Sequence, residues 1–457
     1  MFVGFDYGTS NCAMCALREG RPALIPLCGD NAFMPSTLYA LERAFIPEVI
    51  AQQLPEGTAR KDYAASRSLL LEQARAGKQA HGLERAGDGL FFGESALEHY
   101  MTAPGEGYFI KSPKSFLGAS GLRQQSVDFF EDVVAAMMLN VKTRAEQQLG
   151  EAVTQVVIGR PVNFQGIDAA HSNQQAQAIL TAAATRIGFN DIEFLYEPLA
   201  AGFDFEMRLD ENRCVLVVDV GGGTTDCSMV LMGPAHQGKL DRSGDFLGHT
   251  GERIGGNDFD IQFARKLLMP DFGMLSTLKS GLPMPLMPFA NAVAINDLGA
   301  QAEFYGANTG FLLEKLLRET REPGLLQRFI HMREEKHNFA VLRRAEMGKI
   351  ALSSADSCQV DLDFIEDGLA ALCRAEDFAE ACATLLQKII RLITEATRQA
   401  QTSPDIVYLT GGSAKSPLVQ RAIRELFGEG MAVVDGDHFG SVAAGLGIWA
   451  HRLYRAR

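Results

Sequence analysis

Two segments of this chain carry the same unusual order of residues, FVGFDYGTSNC from Phe2 and VLVVDVGGGTTDC from Val215. Each is an apolar strand closed by an aspartate, then a glycine turn, a threonine and a second strand. In the second segment Gly221, Gly222 and Gly223 follow one another directly after the strand. Glycine loses the most backbone freedom on ordering and buries no side chain, so three together imply that something approaches the backbone closely. Neither segment has the GxGxxG spacing of a dinucleotide turn or the GxxxxGK[ST] spacing of a phosphate loop. The better reading is a pair of hairpin turns whose amides cradle phosphate oxygens, with Asp6 and Asp219 placed for a hydrated magnesium ion. Taken singly, Asp6 could be a turn residue bonding its own backbone, the glycines a bend, and Thr9, Thr224 and Thr225 ordinary strand formers. Their joint recurrence in two strand-turn contexts argues against that.

A duplicated unit of this kind suggests two lobes facing each other, and the rest of the pattern agrees. Strands are expected around Met14–Leu17, in RPALIPL, QVVIGRPVNF and Ile192–Leu195, and in CQVDLDF and IVYLTGG. Helices are expected over Tyr63–Ala76, Ser126–Leu149 and Ala176–Ile187, opening at YEPLAAG, running on from His331 through LRRAEMGKIALSS, and across much of Ile365–Ala400. Alternation of strands and helices on this scale predicts a layered α/β architecture. The N-terminal lobe is placed at 1–200, with an insertion about 42–100, and the C-terminal lobe at 201–457, with an insertion about 270–327. That second insertion contains GLPMPLMPF, whose methionines could present an adaptable surface, though packing within a subdomain suits most of them better.

Composition narrows the function classes. A chain of 457 residues with 47% apolar content can bury large cores. Cys12 and Cys15 form a CxxC, but no second CxxC or histidine cluster supplies further zinc ligands, so they read as two buried thiols. The net charge of −13 disfavours a nucleic-acid surface. With no signal-like segment at the start and no run of eighteen apolar residues, a cytoplasmic protein without a membrane span is expected.

FVGFDYGTSN and VVDVGGGTTDCS resemble the two phosphate segments of the seventy-kilodalton heat-shock chaperones. YEPLAAG resembles the segment carrying their catalytic glutamate, and IGGNDFD, RRAEMGKIALSS and YLTGGSAKSPLV continue the same order. The resemblance runs from Met1 to about Trp449. Through KSPKSFLGASG and GRPVNFQG it is nearest to the bacterial YegD-type branch. It implies the actin-like ATPase fold, with duplicated ribonuclease H-like lobes and ATP or ADP with magnesium in the cleft between them.

The same resemblance distributes roles. Asp6 and Asp219 match the magnesium-side carboxylates, acting through water; Gly8, Thr9, Ser10 and Asn11, with Gly221, Gly222 and Gly223, match the β- and γ-phosphate loops. Thr224 matches the threonine facing the terminal phosphate, Glu197 the glutamate near the attacking water, and Lys114 the lysine that stabilises transfer, with Lys111 in reserve if the register differs. Gly255, Gly256 and Asp258 match a ribose-side segment, Glu346 and Lys349 the helix pair at sugar and base, and Gly411, Gly412 and Ser413 the adenosine-side turn. In GDHFGSVAAGLG the chain departs from the family pattern, with Phe439 or Gly440 where an aspartate is usual and Asp437 slightly upstream.

The peptide-binding sandwich and lid of those chaperones have no counterpart before Arg457, so their clamp mechanism is not expected here. The expected function is that of an ATP-binding, weakly ATP-hydrolysing chaperone-like protein, with a client or co-factor protein of unknown identity. An actin-like scaffold or a small-molecule kinase of the same superfamily is the alternative.

Overall fold

The structure, a computed structural model, describes residues 1–164, 169–436 and 440–456. The chain divides into two compact units. One comprises Met1–Arg253, Ile390–Lys415 and Ile423–Arg457; the other comprises Ile254–Ile389 and Ser416–Ala422.

Both Asp-Gly-Thr segments lie in the first unit, each at the heart of its own sheet. In one sheet the order is β3 (Arg21–Leu24), β2 (Asn11–Arg18), β1 (Phe2–Tyr7), β4 (Gln155–Arg160), β5 (Asp191–Tyr196). In the other it is β8 (Phe246–Glu252), β7 (Thr225–Met232), β6 (Arg213–Val220), β9 (Ile406–Thr410), β10 (Ala432–Asp435). The senses match as well. β1 pairs antiparallel with β2 and parallel with β4, and β6 pairs antiparallel with β7 and parallel with β9. Strands flanked in this way are covered on both faces, which is why β6 is a continuous apolar run from Cys214 to Val218 rather than an alternating one.

Helix α1 (Gln124–Leu149) buries Val133–Met138 in the first sheet's core. Helix α2 (Glu197–Glu206) and helix α5 (Ser441–Ala456) share a second core with Val157, Val215, Val217 and Val230, so both sheets contribute to it. Phe203 stacks on Trp449 with ring centroids 5.3 Å apart, and Tyr454 donates to the Val156 carbonyl at 3.0 Å. These contacts fix α2 to both sheets, and the first residue of α2 is Glu197.

The expected single helix at Tyr63–Ala76 is two helices, Thr58–Ser66 and Ser68–His81. Arg67 between them leaves helical geometry and donates from Nε to Asp132 of α1 at 2.7 Å. A buried guanidinium–carboxylate pair outweighs one residue's helix propensity. Of the region expected to be an insertion about 42–100, Leu90–Phe92 joins a small antiparallel sheet whose other strands, Thr37–Ala40 and Tyr108–Lys111, flank that region on either side.

In the second unit lie α3 (Gly256–Phe263), four helices between Met287 and Glu334, and α4 (Asn338–Ala351). The long helix expected onward from His331 is interrupted at Glu335–His337, where Lys336 adopts φ 55°. Phe289 and Phe304 of the insertion pack against Phe329, on the helix that runs out of it. Met284 is buried and Met287 exposed, so the methionines divide between packing and surface. Among the described residues no helix is long and apolar enough to cross a membrane.

Candidate functional site

The second glycine turn is shaped by hairpin register. Asp219 pairs with Asp226 and Val220 with Thr225, and the Gly221 amide donates to the Thr224 carbonyl at 2.9 Å, leaving Gly221–Thr224 as the turn. The first turn repeats the plan, with Asp6 opposite Ala13 and Tyr7 opposite Cys12. The two turns meet. A β-carbon at position 222 would lie 1.8 Å from the Ser10 hydroxyl oxygen and 2.9 Å from its β-carbon, so any side chain there would displace the first turn. Gly411, at φ 85°, is a turn residue whose missing β-carbon would fall 2.4 Å from Asp219 Oδ1. Ser413 then donates to the Gly221 carbonyl at 2.9 Å, tying the third glycine turn to the second.

Around these turns the structure collects charge. Lys114 sits in the 3-10 turn Pro113–Phe116, is 5% exposed, and ion-pairs through Nζ with Glu197 Oε1 at the start of α2. Desolvation would lower the Lys114 pKa, but the charges of Glu197 and Asp6 outweigh it and hold the ammonium up. Lys111 lies on the preceding strand, paired with Thr37; Lys114 is therefore the lysine that meets the glutamate.

The carboxylates respond to the same neighbours. Desolvation pushes Asp6 up to about 7, Glu197 adds to the rise, and Lys114 opposes it. Asp219 is pushed well above its ordinary range by desolvation, then by Glu197, Asp226 and Asp6. Asp226 rises to about 7 through desolvation and Glu197, held back by the Val162 amide, which donates to Oδ1 at 2.9 Å, and by the Thr224 hydroxyl. Four carboxylates thus face one lysine. Sequence reading gives Asp226 no role, although the signal was present: a four-residue turn necessarily sets residue 226 opposite Asp219.

Thr9, Lys114, Gly223 and Thr224 also line a cavity of about 20 Å³ with Ser115, Pro161, Phe164 and Arg253. Ser115 and Arg253 were not singled out from the sequence. The CxxC thiols lie beneath on β2, both buried, and desolvation pushes each up to about 12.

Of the expected nucleoside residues, Gly411, Gly412 and Ser413 belong to the first unit and Gly255, Gly256, Asp258, Glu346 and Lys349 to the second. Gly255 caps α3, its amide donating to Asp258 Oδ2 at 2.8 Å, while Asn296 donates to Asp258 Oδ1 at 3.1 Å. One carboxylate therefore organises the Gly255–Gly256 turn. On α4, Glu346 accepts from Arg343 at 2.9 Å, and Lys349 pairs with Asp260 of α3 at 2.6 Å. Positions 437–439, with Asp437 and Phe439, lie outside the described residues. Among the described residues no group of three or more His, Cys, Asp or Glu is arranged to ligate a metal directly.

Two mixed sheets of identical strand order, each with an Asp-Gly-Thr turn beside its central strand, define an α/β fold of the actin and heat-shock ATPase type. The chain belongs to the Hsp70 protein family, whose model matches residues 121–274 and 325–453. The gap between those matches falls within the expected insertion about 270–327. A chaperone protein HscA homolog of Ralstonia pickettii is 24% identical over 441 residues, covering 93% of this chain and 54% of the relative. Chaperone protein dnaK3 of Synechococcus elongatus is 29% identical over 316 residues, 67% of this chain and 33% of the relative. The chain thus spans a third to just over half of the length of these relatives.

Proposed function

We propose that this chain is a magnesium-dependent ATP-binding protein that hydrolyses ATP slowly, as the actin-like ATPase domain of an Hsp70-type chaperone protein of the YegD-type branch. The observation that carries the reading is the meeting of both Asp-Gly-Thr turns beside the Lys114–Glu197 pair. In this reading the amides of Gly221–Gly223 and the Thr9–Asn11 turn hold the β- and γ-phosphates, and Thr224 faces the terminal one. Glu197 orients the attacking water and accepts its proton, and Lys114 offsets the charge that develops on the phosphoryl oxygens.

The donor set suits a cation held through its water shell. Burial disfavours the charged forms of Asp6, Asp219 and Asp226, and a cation among them would restore those charges; magnesium keeps several waters when bound. Asp6 and Asp219 would hold those waters, and the bound ion would neutralise phosphate charge. Gly411–Ser413 would lie along the adenosine. Family resemblance assigns the nucleoside to Gly255, Gly256, Asp258, Glu346 and Lys349. The division into lobes 1–200 and 201–457, cytoplasmic location, and a protein client or co-factor belong to the same proposal.

The test is single-turnover hydrolysis with enzyme in excess over ATP. Stoichiometric, magnesium-dependent conversion to ADP and phosphate, lost in Glu197→Ala, supports the reading; conversion equal in the parent and that variant refutes it.

A further inference from the structure

We infer that Arg253 contacts the terminal phosphate and, with Lys114, carries its charge during transfer; this rests on the ATP reading above. β8 pairs with β7 in a register that sets Thr225 opposite Glu252 and Asp226 opposite Gly251. Arg253 is the next residue, and the same register carries it past the strand end to the level of Thr224. The strand runs close against the site: a β-carbon at position 251 would lie 2.4 Å from Asp226 Oδ1.

The cavity composition points the same way. Among the described residues its polar side chains are three hydroxyls, from Thr9, Ser115 and Thr224, and two cations, Lys114 and Arg253. At about 20 Å³ it has room for a single water or phosphoryl oxygen. Pro161 and Phe164 add apolar surface to its wall, which strengthens charge interactions beside them. A small cavity lined by hydroxyls and two cations suits an anionic oxygen.

Lys114 alone is a poor match for that oxygen, because its ammonium is already engaged by Glu197 and faces Asp6. Arg253 adds a permanently charged planar donor able to bind two oxygens at once. In the transfer, the water oxygen forms a bond to the γ-phosphorus as the bond to the β–γ bridging oxygen breaks. The bridging oxygen leaves on ADP, the water proton passes to Glu197, and the equatorial oxygens keep the charge that Arg253 faces.

Arg253→Ala, Arg253→Gln and Arg253→Lys in the full chain test this, with calorimetric affinities for magnesium-ATP and magnesium-ADP beside single-turnover rates. The expected result for Ala and Gln is a roughly 10-fold loss of the ATP-over-ADP preference and a roughly 10- to 100-fold slower turnover, with ADP affinity within about 2-fold of the parent. Lys should restore only part, since it keeps charge without the two-pronged geometry. Preference and rate within about 2-fold of the parent, or equal loss of ATP and ADP affinity, overturns the role of Arg253 while leaving the ATP reading intact. A parent that binds neither nucleotide overturns the ATP reading itself, and the Arg253 role with it. If Arg253→Ala fails to fold, the Gln and Lys variants decide the matter, and the affinity ratio decides it even where turnover is too slow to follow.

Discussion

Lys114 and Glu197 form a direct ion pair, though they stand 83 residues apart and enter from a 3-10 turn and a helix start. The pair sits where both Asp-Gly-Thr turns converge, so the base and the cation of the proposed chemistry hold one another in place before substrate arrives.

Glu197→Ala should therefore separate chemistry from binding. The single-turnover rate of bound ATP is expected to fall roughly 100-fold or more, while ATP affinity changes by less than about 5-fold. Rapid-quench measurements beside calorimetry check both halves. An affinity loss with normal turnover of bound ATP would contradict the role, because interactions equal in ground and transition states leave the chemical step unchanged.

Asp226 should trade stability for function. Desolvation, and then the Glu197 charge, push its carboxyl up to about 7, so keeping it ionised costs stability in the nucleotide-free protein at neutral pH. Asp226→Asn removes a charge but keeps an acceptor for the Val162 amide, and should raise the melting temperature by about 1–3 °C at pH 7.5 while slowing hydrolysis. Asp226→Ala should melt lower than Asp226→Asn, because it leaves the buried Val162 amide without that acceptor. Scanning calorimetry of the three proteins without nucleotide gives the order.

How much of this was legible in the sequence depended on how local the signal was. The two turns could be read because strand, aspartate, glycine and threonine are contiguous and recur. The family resemblance ranks Lys114 ahead of Lys111, but local propensity does not separate them: Ser112 between them takes a left-handed conformation at φ 55°, which redirects the chain by tertiary contact rather than by propensity. The helix breaks at Arg67 and Lys336 were hidden for the same reason. The small sheet of the N-terminal region escaped because its strands are only three or four residues long, too short for an alternating pattern to show. Arg253 carries no motif of its own and becomes visible only through the register of β8.

A buried ion network away from the site gives an acid-sensitivity prediction. Arg242 bonds Glu206 through both terminal nitrogens, at 2.9 and 3.0 Å, and Asp245 through Nε at 2.5 Å, with His236 2.8 Å from the same Asp245 carboxylate. Burial alone would raise the Asp245 pKa, but hydrogen bonds from Lys239, Arg242 and His236 hold it below the ordinary carboxylate range. A depressed carboxyl stabilises the fold above its unfolded pKa and loses that contribution as pH falls through the folded value. Asp245→Asn should thus melt about 5 °C lower than the parent at pH 7, with the gap narrowing below about pH 4. Melting curves from pH 7 down to 3 would show it; a gap constant over that range would contradict the network's charge.

The central claim is that the paired turns form a magnesium-nucleotide site, and titration calorimetry of the full chain with ATP tests it most directly. The account predicts saturable binding that weakens about 10-fold or more when magnesium is chelated, and again in Asp219→Ala. Absence of saturable binding up to millimolar ATP, or binding indifferent both to magnesium and to Asp219, would contradict it.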